Sequence, residues 1–316
     1  MSKIFRIGTR DSELAVWQAT QVQQKLQEQN ISSELVFIKS EGDKDLITPL
    51  YALGVQGIFT KTLDAALLNN RIDIAVHSMK DVPVQLAKGI QQAAVLKRGN
   101  WKDIFVFGEH SAVNGEQFFT SRLTVHSSQL TIATSSVRRI AQWLHRYPNS
   151  AIENLRGNVN TRLRKLNESN WSGAIFAAAG LERINLRPAN AMDLDWMLPA
   201  PTQGAIMIVC RTNDEETFKA CYAFNDEATA ICTKIEKDFL KELMGGCSTP
   251  IAALAKMSGD KIIFKGNILS LDGKDKAEVN KTISINDAND LGKTAAQELL
   301  NNGGKEIAES IRNAKV

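Results

Sequence analysis

Apolar residues recur along this chain at two alternating spacings between residues 3 and 209. Short β-rich runs are followed by stretches in which apolar residues share one helical face, as Leu14, Trp17, Val22 and Leu26 do. The pattern predicts strands at 4–7, 35–38, 72–76, 103–107, 130–133, 152–155 and 174–177. It predicts helices at 12–29, 59–68, 137–147 and 159–166. Such alternation is typical of α/β layers with largely parallel sheets.

Two joints divide this pattern. One is the polar run Lys97-Arg98-Gly99-Asn100, and the other is the proline-rich stretch at 198–202. A strand predicted at 205–209 would return to the first sheet, so that the chain crosses twice between two lobes with a hinged cleft. We expect lobe 1 at 1–99 and 203–213, lobe 2 at 100–202, and an α+β domain at 214–316, where Lys replaces Arg.

Residues 40–57 form a long connection with glycines at 42, 54 and 57. Long connections without regular structure are often lids or binding loops in compact domains. The sequence leaves two interpretations open, a mobile lid over the cleft or an ordinary surface loop.

Composition narrows the class of protein. Hydrophobic residues make up 43% of the 316 residues, and the net charge is only +3. The first residues lack the apolar run of a signal peptide, and no stretch reaches the length of a membrane span, so we expect a cytoplasmic protein without a membrane partner. The four cysteines lack the spacing of a zinc site or a redox pair, and no metal is expected.

The arginines are unevenly distributed. Fourteen of the 15 lie before residue 212, and nine of them fall between Arg122 and Arg187. Arginine grips carboxylate or phosphate groups at two points, and strand-to-helix turns add backbone N–H donors. The distribution therefore predicts a binding site for a ligand with several negative charges.

Three strand-to-helix turns carry these arginines. Gly8 to Ser12 contains Arg10, with Ser12 as either a simple helix cap or an anion contact. Thr134-Ser135-Ser136 precedes Arg138 and Arg139 in the first helical turn, where cations oppose the helix dipole unless an anion is bound. The third turn has Arg156 and Arg162 around Gly157, and Arg183 follows a later strand, where it serves either an anion or a neighbouring acid.

Two further motifs point to chemistry. His77-Ser78-Met79-Lys80-Asp81 follows a predicted strand. Lys80 and Asp81 form either a plain surface salt bridge or part of a site in which the cation suits an acidic ligand and the carboxylate stabilises a cation or moves a proton. His77 alone fits a structural role better than a catalytic one. Cys247 follows Gly245 and Gly246 and is either an approachable thiol, able to act as a nucleophile or covalent anchor, or an ordinary buried cysteine, whereas Cys210, Cys221 and Cys232 lie in helical or strand patterns typical of a core.

Taken in order, the motifs at 77–83, 134–139, 155–159 and 245–247 closely resemble those of the porphobilinogen deaminase family, also called hydroxymethylbilane synthases. The resemblance runs from Arg6 to 298–303, nearly the whole chain. It implies two lobes of the periplasmic-binding-protein type and a smaller α+β C-terminal domain. It also implies a transferase of tetrapyrrole and haem biosynthesis that joins four porphobilinogen units head to tail and releases ammonia at each step.

The resemblance also implies roles for particular residues. A dipyrromethane cofactor would be attached to Cys247 through a thioether, and Asp81 would be the catalytic carboxylate. The cofactor and substrate contacts of the family correspond to Arg10, Ser12, Lys80, Thr134, Ser135, Ser136, Arg138, Arg139, Arg156, Arg162 and Arg183, with Gln203 and Gly204 near the cofactor. The resemblance thus implies porphobilinogen as the small-molecule substrate. We expect the protein to be a monomer.

Two positions depart from the family pattern. Gln56 stands where many relatives have lysine, and Val209 stands where glutamate is common. Two other functions fit parts of the sequence: a non-enzymatic carboxylate-binding protein, which would need neither Asp81 nor Cys247, and a nucleic-acid-binding protein. The small net charge and the lack of aromatic residues among the arginines argue against nucleic acid.

Overall fold

The computed structural model of the chain describes residues 3–39, 60–109, 130–243 and 249–314. Its strands are β1 (Phe5–Thr9), β2 (Ser33–Phe37), β3 (Ile74–Ser78), β4 (Ile90–Val95), β5 (Asp103–Phe107), β6 (Thr131–Ala133), β7 (Ala151–Glu153), β8 (Gly173–Ala177), β9 (Ala191–Asp193), β10 (Ile206–Arg211), β11 (Ile251–Ser258), β12 (Lys261–Leu269) and β13 (Lys276–Ser284). Its α-helices are α1 (Glu13–Glu28), α2 (Lys61–Leu68), α3 (Val137–Arg146), α4 (Val159–Asn167), α5 (Ala178–Glu182), α6 (Glu215–Tyr222), α7 (Glu227–Glu242), α8 (Leu291–Leu299) and α9 (Lys305–Asn313).

Two five-stranded sheets share one topology. The first has the order β2-β1-β3-β10-β4, and the second has the order β7-β6-β8-β5-β9. In the first, β1 is parallel to β2 and β3, whereas β10 is antiparallel to β3 and β4. The second repeats this polarity with β6 and β5 in the places of β1 and β10. The expected pair of similar α/β lobes is confirmed.

The expectation of largely parallel sheets is wrong for half of these pairings. In each sheet the reversed strand, β10 or β5, is the one that directly follows a crossing from the other lobe. A strand that arrives from the other lobe enters its sheet at the edge facing that lobe, where the parallel strands β1 and β3, or β6 and β8, end. It must therefore run against them.

The two crossings between the lobes, at 96–102 and 194–205, are hydrogen-bonded to each other. The backbone N–H of Gly99 donates to the carbonyl of Gly204 at 3.0 Å, and the N–H of Leu96 donates to Ile206 at 3.0 Å. Gly204 has a φ of +88°, and a Cβ there would lie 2.9 Å from the Gly99 carbonyl oxygen. Only glycine combines this backbone conformation with so close an approach.

The C-terminal domain is a β11-β12-β13 antiparallel sheet covered by helices. The rings of Phe239 in α7 and Phe264 in β12 meet at its centre with centroids 5.1 Å apart. The expected smaller α+β domain is confirmed. Helix α6, although it follows residue 213, packs on the first sheet, where Cys221 shares a core with Ile7 and Val22.

One buried carboxylate joins this domain to both crossings. Glu236 in α7 is fully buried and pairs with Arg98 of the first crossing, with the closest N–O distance 2.6 Å. Glu236 also accepts hydrogen bonds from the backbone N–H groups of Thr202, in the second crossing, and Ala255, in β11. Three segments that are distant in sequence therefore depend on one side chain.

Two predicted features lie outside the described residues: the segment 40–57 and the loop that carries Gly245, Gly246 and Cys247. Within the described ranges, none of the helices combines the length and apolar character needed to cross a membrane.

Candidate active site

Lys80 and Asp81 lie on a single 3-10 turn that directly follows β3. The turn is fixed by Met79, whose side chain is buried and whose N–H donates to the carbonyl of Ala205 at 3.0 Å. Asp81 lines a cavity of about 40 Å³ together with Arg10, His77 and other residues of lobe 1. The sequence motif thus places a cation and a carboxylate side by side at the end of a strand.

His77 is buried beside this cavity. Burial lowers the pKa of His77 to about 4, and the charges of Arg10 and Lys237 reinforce the effect. Its Nε2 atom lies 3.9 Å from a carboxylate oxygen of Asp64, and burial raises the pKa of that carboxyl to about 6. The imidazole is therefore neutral at pH 7, and the structural role expected for it stays a prediction.

The turn from β1 to α1 brings Arg10 and Ser12 to the same end of lobe 1. Ser12 is the N-cap residue of α1, but its side chain makes no capping hydrogen bond. Of the two roles left open for it, capping by the side chain is not observed. Beside it, Glu13 accepts a hydrogen bond at 2.9 Å from Asn160 at the start of α4, so the two lobes meet here.

Two of the three hydroxyl groups before α3, those of Thr134 and Ser135, are hydrogen-bonded within lobe 2, and the Ser136 side chain makes no capping bond to α3. Thr134 is buried and accepts from the N–H of Ser136 at 3.3 Å. Ser135 donates to the side chain of Asn154 at 2.5 Å and accepts from the N–H of Leu155 at 2.9 Å. Ser135 thereby ties the turn before α3 to the neighbouring turn before α4.

Arg138 and Arg139, in the first turn of α3, have a partner that the sequence did not reveal. Arg139 donates to one oxygen of Asp103 from Nε at 3.0 Å and from Nη2 at 2.7 Å, and Arg138 Nη1 lies 2.8 Å from the other oxygen. The conflict of these cations with the helix dipole therefore does not by itself require a bound anion, because Asp103 already supplies a negative charge, and anion binding by Arg138 and Arg139 stays a prediction. No signal in the sequence marks Asp103 beyond its being a charged residue at the start of an apolar strand.

Arg156 and Arg162 flank the turn that leads into α4. Gly157 has a φ of +115°, and its carbonyl accepts from Arg162 Nε at 2.7 Å. Burial lowers the pKa of Arg162 to about 10, and the charges of Arg139 and Arg156 reinforce this while Asp81 opposes it. Arg162 of lobe 2 is thus close enough to Asp81 of lobe 1 for their charges to interact.

Lys80, in lobe 1, interacts electrostatically with charged groups of both lobes. Burial lowers the pKa of Lys80 to about 8, an effect that Asp81 and Asp103 oppose and that Arg138 and Arg139 reinforce. The structure therefore brings the turn after β3 in lobe 1 and the turns before α3 and α4 in lobe 2 into one electrostatic cluster. We call this cluster, formed by Lys80, Asp81, Asp103, Arg138, Arg139, Arg156 and Arg162, the anion site.

Gln203 and Gly204 lie in the second crossing, and Arg183, the residue that caps the C-terminus of α5, contacts it. Arg183 Nη2 donates to the carbonyl of Gly204 at 2.6 Å, and its guanidinium lies 5.5 Å from the ring centroid of Trp17. Arg183 lines a separate pocket of about 610 Å³ beside α1. Gln203 is buried and donates to Asp103 at 3.0 Å, so Gln203 contacts the anion site whereas Arg183 does not line the cavity beside Asp81.

The three cysteines that the structure describes, Cys210, Cys221 and Cys232, are all buried. Burial raises the pKa of Cys210 and Cys232 to about 11, and it raises that of Cys221 further. A thiol with a raised pKa is a poor nucleophile at neutral pH.

Comparison with protein families finds two matches that together span most of the chain. Residues 5–219 match the model described as "Porphobilinogen deaminase, dipyromethane cofactor binding domain", and residues 230–301 match "Porphobilinogen deaminase, C-terminal domain". The chain is 39% identical to porphobilinogen deaminase of Trichlorobacter lovleyi, over 99% of this chain and 98% of that one. It is 38% identical to porphobilinogen deaminase of Acidithiobacillus ferrooxidans, over 99% of this chain and 100% of that one.

Solved structures with a similar fold are far more distant in sequence. The periplasmic VFT2 domain of BvgS from Bordetella pertussis is 12% identical with a TM-score of 0.40, over 72% of this chain and 90% of that one. A periplasmic binding protein of high arginine specificity from Salmonella typhimurium is 11% identical with a TM-score of 0.39, over 72% of this chain and 94% of that one.

Proposed function

The chain belongs to the porphobilinogen deaminase family, and on that premise we propose that the anion site binds the carboxylates of the growing pyrrole chain. The protein is a transferase of tetrapyrrole biosynthesis that makes hydroxymethylbilane from four porphobilinogen units with a dipyrromethane cofactor. The observation that carries the proposal is the single electrostatic cluster that joins Lys80 and Asp81 of lobe 1 to Arg138, Arg139 and Arg162 of lobe 2.

The chemistry of the cluster fits the cofactor and its extensions. Each pyrrole unit carries an acetate and a propionate, so a growing chain accumulates negative charge in a site that offers five cations against two carboxylates. Arg138 is 4% exposed, and its Nε atom has no hydrogen-bond partner among the described residues, which leaves one buried donor for a ligand. Buried donors are rarely left unsatisfied in a working complex.

The contacts proposed for the cofactor and substrate are Arg10, Ser12, Lys80, Thr134, Ser135, Ser136, Arg138, Arg139, Arg156, Arg162 and Arg183, with Gln203 and Gly204. The arginines and Lys80 would neutralise carboxylates, and the turn residues would position backbone N–H groups towards them. Ser135 and Gln203 would act mainly through the hydrogen bonds that hold the turns together. Arg183 would contribute by holding the second crossing in place through its hydrogen bond to the carbonyl of Gly204.

Asp81 is proposed as the catalytic carboxylate. Loss of ammonia from the protonated aminomethyl group breaks its C–N bond and leaves a cationic, electron-poor pyrrole. The free ring carbon at the end of the cofactor attacks the methylene carbon of this cation and then releases its own proton to water, which restores the aromatic ring. A carboxylate held beside that ring stabilises its positive charge and accepts a hydrogen bond from its N–H. The rigid turn on the buried Met79 side chain holds Asp81 in position, and the neighbouring cations would keep the substrate carboxylates away from it.

Cys247 is proposed as the attachment point of the cofactor. The other three cysteines are buried with raised pKa values, which supports Cys247 as the reactive thiol by chemistry as well as by the family motif. A covalent primer keeps the chain in place while successive units are added, so that it is not rebound at every step.

The proposal extends to the organisation of the molecule. Lobe 1 would comprise 1–99 and 203–213, lobe 2 would comprise 100–202, and the C-terminal domain would begin after α6, later than residue 214, because α6 packs on the first sheet. Segment 40–57 would be a lid. We further propose a cytoplasmic monomer that acts on free porphobilinogen, without nucleic-acid, membrane or metal partners.

Mass analysis of the denatured protein tests the proposed attachment. The native polypeptide should be heavier by two pyrrole units, because a thioether survives denaturation. Cys247→Ser should lack the added mass and be inactive, whereas the control Cys232→Ala, which changes a buried thiol of the same domain, should keep both. A native protein that is fully active without added mass would contradict the assignment.

A further inference from the structure

Asp103 is the most completely enclosed acid of the anion site. It is the first residue of β5, directly after the first crossing, and it is 0% exposed. Its carboxylate contacts Arg138 and Arg139 of α3 and accepts from Gln203 of the second crossing at 3.0 Å. One side chain thereby joins the first turn of α3 to both crossings.

The charges of this group do not cancel. Burial by itself raises the pKa of Asp103, but Arg138, Arg139 and the hydrogen bond from Gln203 together outweigh burial and lower it to about 2. The carboxylate is therefore ionised wherever the protein is folded at ordinary pH. One negative charge then faces two guanidinium groups, and a net positive charge remains for a ligand.

Some N–H groups of Arg138 and Arg139 are bonded within the protein, and others remain for a ligand. Arg139 uses Nε and Nη2 on Asp103 and Nη1 on the carbonyl of Ile175, so its orientation is fully determined. Arg138 donates from Nη1 to the carbonyl of Leu198 and forms an ion pair with Asp103 at 2.8 Å, while its Nε has no hydrogen-bond partner within the described ranges. The buried Asp103 carboxylate thus determines which guanidinium N–H groups of Arg138 and Arg139 remain for a ligand.

We propose that Asp103 is a positioning residue for the reaction: it holds Arg138 and Arg139 in the orientation in which their remaining donors meet a ligand carboxylate, and it fixes that orientation to the crossings through Gln203. The inference rests on the proposed role of these arginines in binding carboxylates. It adds a residue that need not touch substrate or cofactor.

Asp103→Asn separates positioning from simple charge. The new amide would turn an N–H group towards a guanidinium, so one arginine must move, although the net positive charge of the site increases. If charge alone governed binding, affinity for anions would rise. If orientation governs binding, affinity falls despite the added charge.

The test uses the full chain in two states. In the cofactor-free Cys247→Ser background, citrate is the probe, and its affinity is read from the rise in Tm at constant ionic strength. In the otherwise unaltered enzyme, KM and kcat for porphobilinogen are measured. Asp103→Asn should weaken citrate binding about tenfold and raise KM about tenfold, with a smaller change in kcat, since a lost charge-assisted hydrogen bond has about this effect.

Asp193→Asn is the matched control. Asp193 is a half-buried carboxylate of the neighbouring strand β9 that accepts from Arg187 at 2.7 Å and from Lys102 at 2.8 Å, two cations that do not belong to the anion site. Its replacement should leave citrate affinity and KM unchanged. Equal or tighter citrate binding in Asp103→Asn, or a KM within twofold of the unaltered enzyme, would overturn the proposal.

Asp103→Ala provides a second route if Asp103→Asn cannot be obtained folded. The truncation leaves room for formate, whose carboxylate should restore the orientation of both arginines and lower KM towards normal. Sodium chloride at the same concentration should not do so, and formate should not help the unaltered enzyme. No rescue of a folded Asp103→Ala protein would refute the positioning role, whereas an inactive unaltered enzyme would refute the proposed function instead.

Discussion

Lys80 is a residue of the anion site at which the proposed binding of carboxylates would depend on pH. Its ammonium is desolvated, which lowers its pKa to about 8 although two carboxylates oppose the shift. A lysine with this pKa titrates within the range in which enzymes are assayed, whereas an exposed lysine does not.

Raising the pH from 7 to 9 should therefore weaken binding of porphobilinogen. Lys80 loses its charge around pH 8, so at pH 9, one pH unit above its pKa, only about a tenth of the molecules carry a charged Lys80. KM should therefore rise about tenfold between pH 7 and pH 9. Lys80→Gln should have a higher KM at pH 7 and a flatter pH profile. An identical profile in the two proteins would show that another group controls the pH dependence.

The stability of the ligand-free protein should change in the opposite direction. The folded-state pKa of Lys80 is below its unfolded value of 10.5, so between pH 8 and 10.5 the unfolded chain binds more protons. The unfolding free energy should consequently increase with pH across this window, and Lys237, whose pKa burial also lowers to about 8, adds to the effect.

Individual residues of the site differ in how far the sequence revealed them. Lys80, Arg138 and Arg162 stand out because cations follow strand ends, and the ends of neighbouring strands meet in space. Asp103 does not stand out, because its partners Arg138 and Arg139 are 35 and 36 residues away and the residues that follow it, 104–107, belong to the core. Contacts at that separation depend on the complete fold.

At the scale of elements, periodicity located most helices and strands, and the failures have physical causes. β4 was not predicted because Gln91 and Gln92 interrupt its apolar run, although both sit in a sheet beside β10. The three-residue strand β9 and the helices α6 and α9 were also not predicted. The sequence pattern also could not predict the reversed direction of β5 and β10. The direction of a strand depends on whether the chain reaches it from its own lobe or from the other one.

Gly204 is the element-scale feature most open to test. Gly204→Ala should lower the unfolding free energy by about 1–2 kcal/mol for the left-handed backbone alone, and by more because the new Cβ would meet the carbonyl of Gly99. Gly259→Ala is the matched control, since Gly259 also has a positive φ, of +61°, but nothing within 4 Å of a Cβ. Chemical denaturation should show a clearly larger loss for Gly204→Ala, and equal losses would contradict the importance of the close crossing.

At the scale of the whole molecule, Glu236 links the C-terminal domain to both crossings. Breaking a buried ion pair from one side leaves the other charge uncompensated. Glu236→Gln should therefore lower the unfolding free energy by about 3–5 kcal/mol and split thermal unfolding into two transitions, measured by calorimetry.

The control for this change is Glu298→Gln. Glu298 pairs with Lys281 at the surface of the C-terminal domain, where solvent screens the pair. The loss there should stay within about 1 kcal/mol. A Glu236→Gln protein as stable as Glu298→Gln would mean that the junction is held by other contacts.

The order of strands in the two sheets has a consequence for the newly made chain. All five strands of the second sheet lie between residues 103 and 193, whereas the first sheet needs β10, at 206–211, between β3 and β4. As the chain leaves the ribosome, β4 therefore has no strand to pair with until β10 has been synthesised, more than a hundred residues later. The lobe that begins first is finished second, and its unpaired edge is the part of the nascent protein that depends most on protection from aggregation.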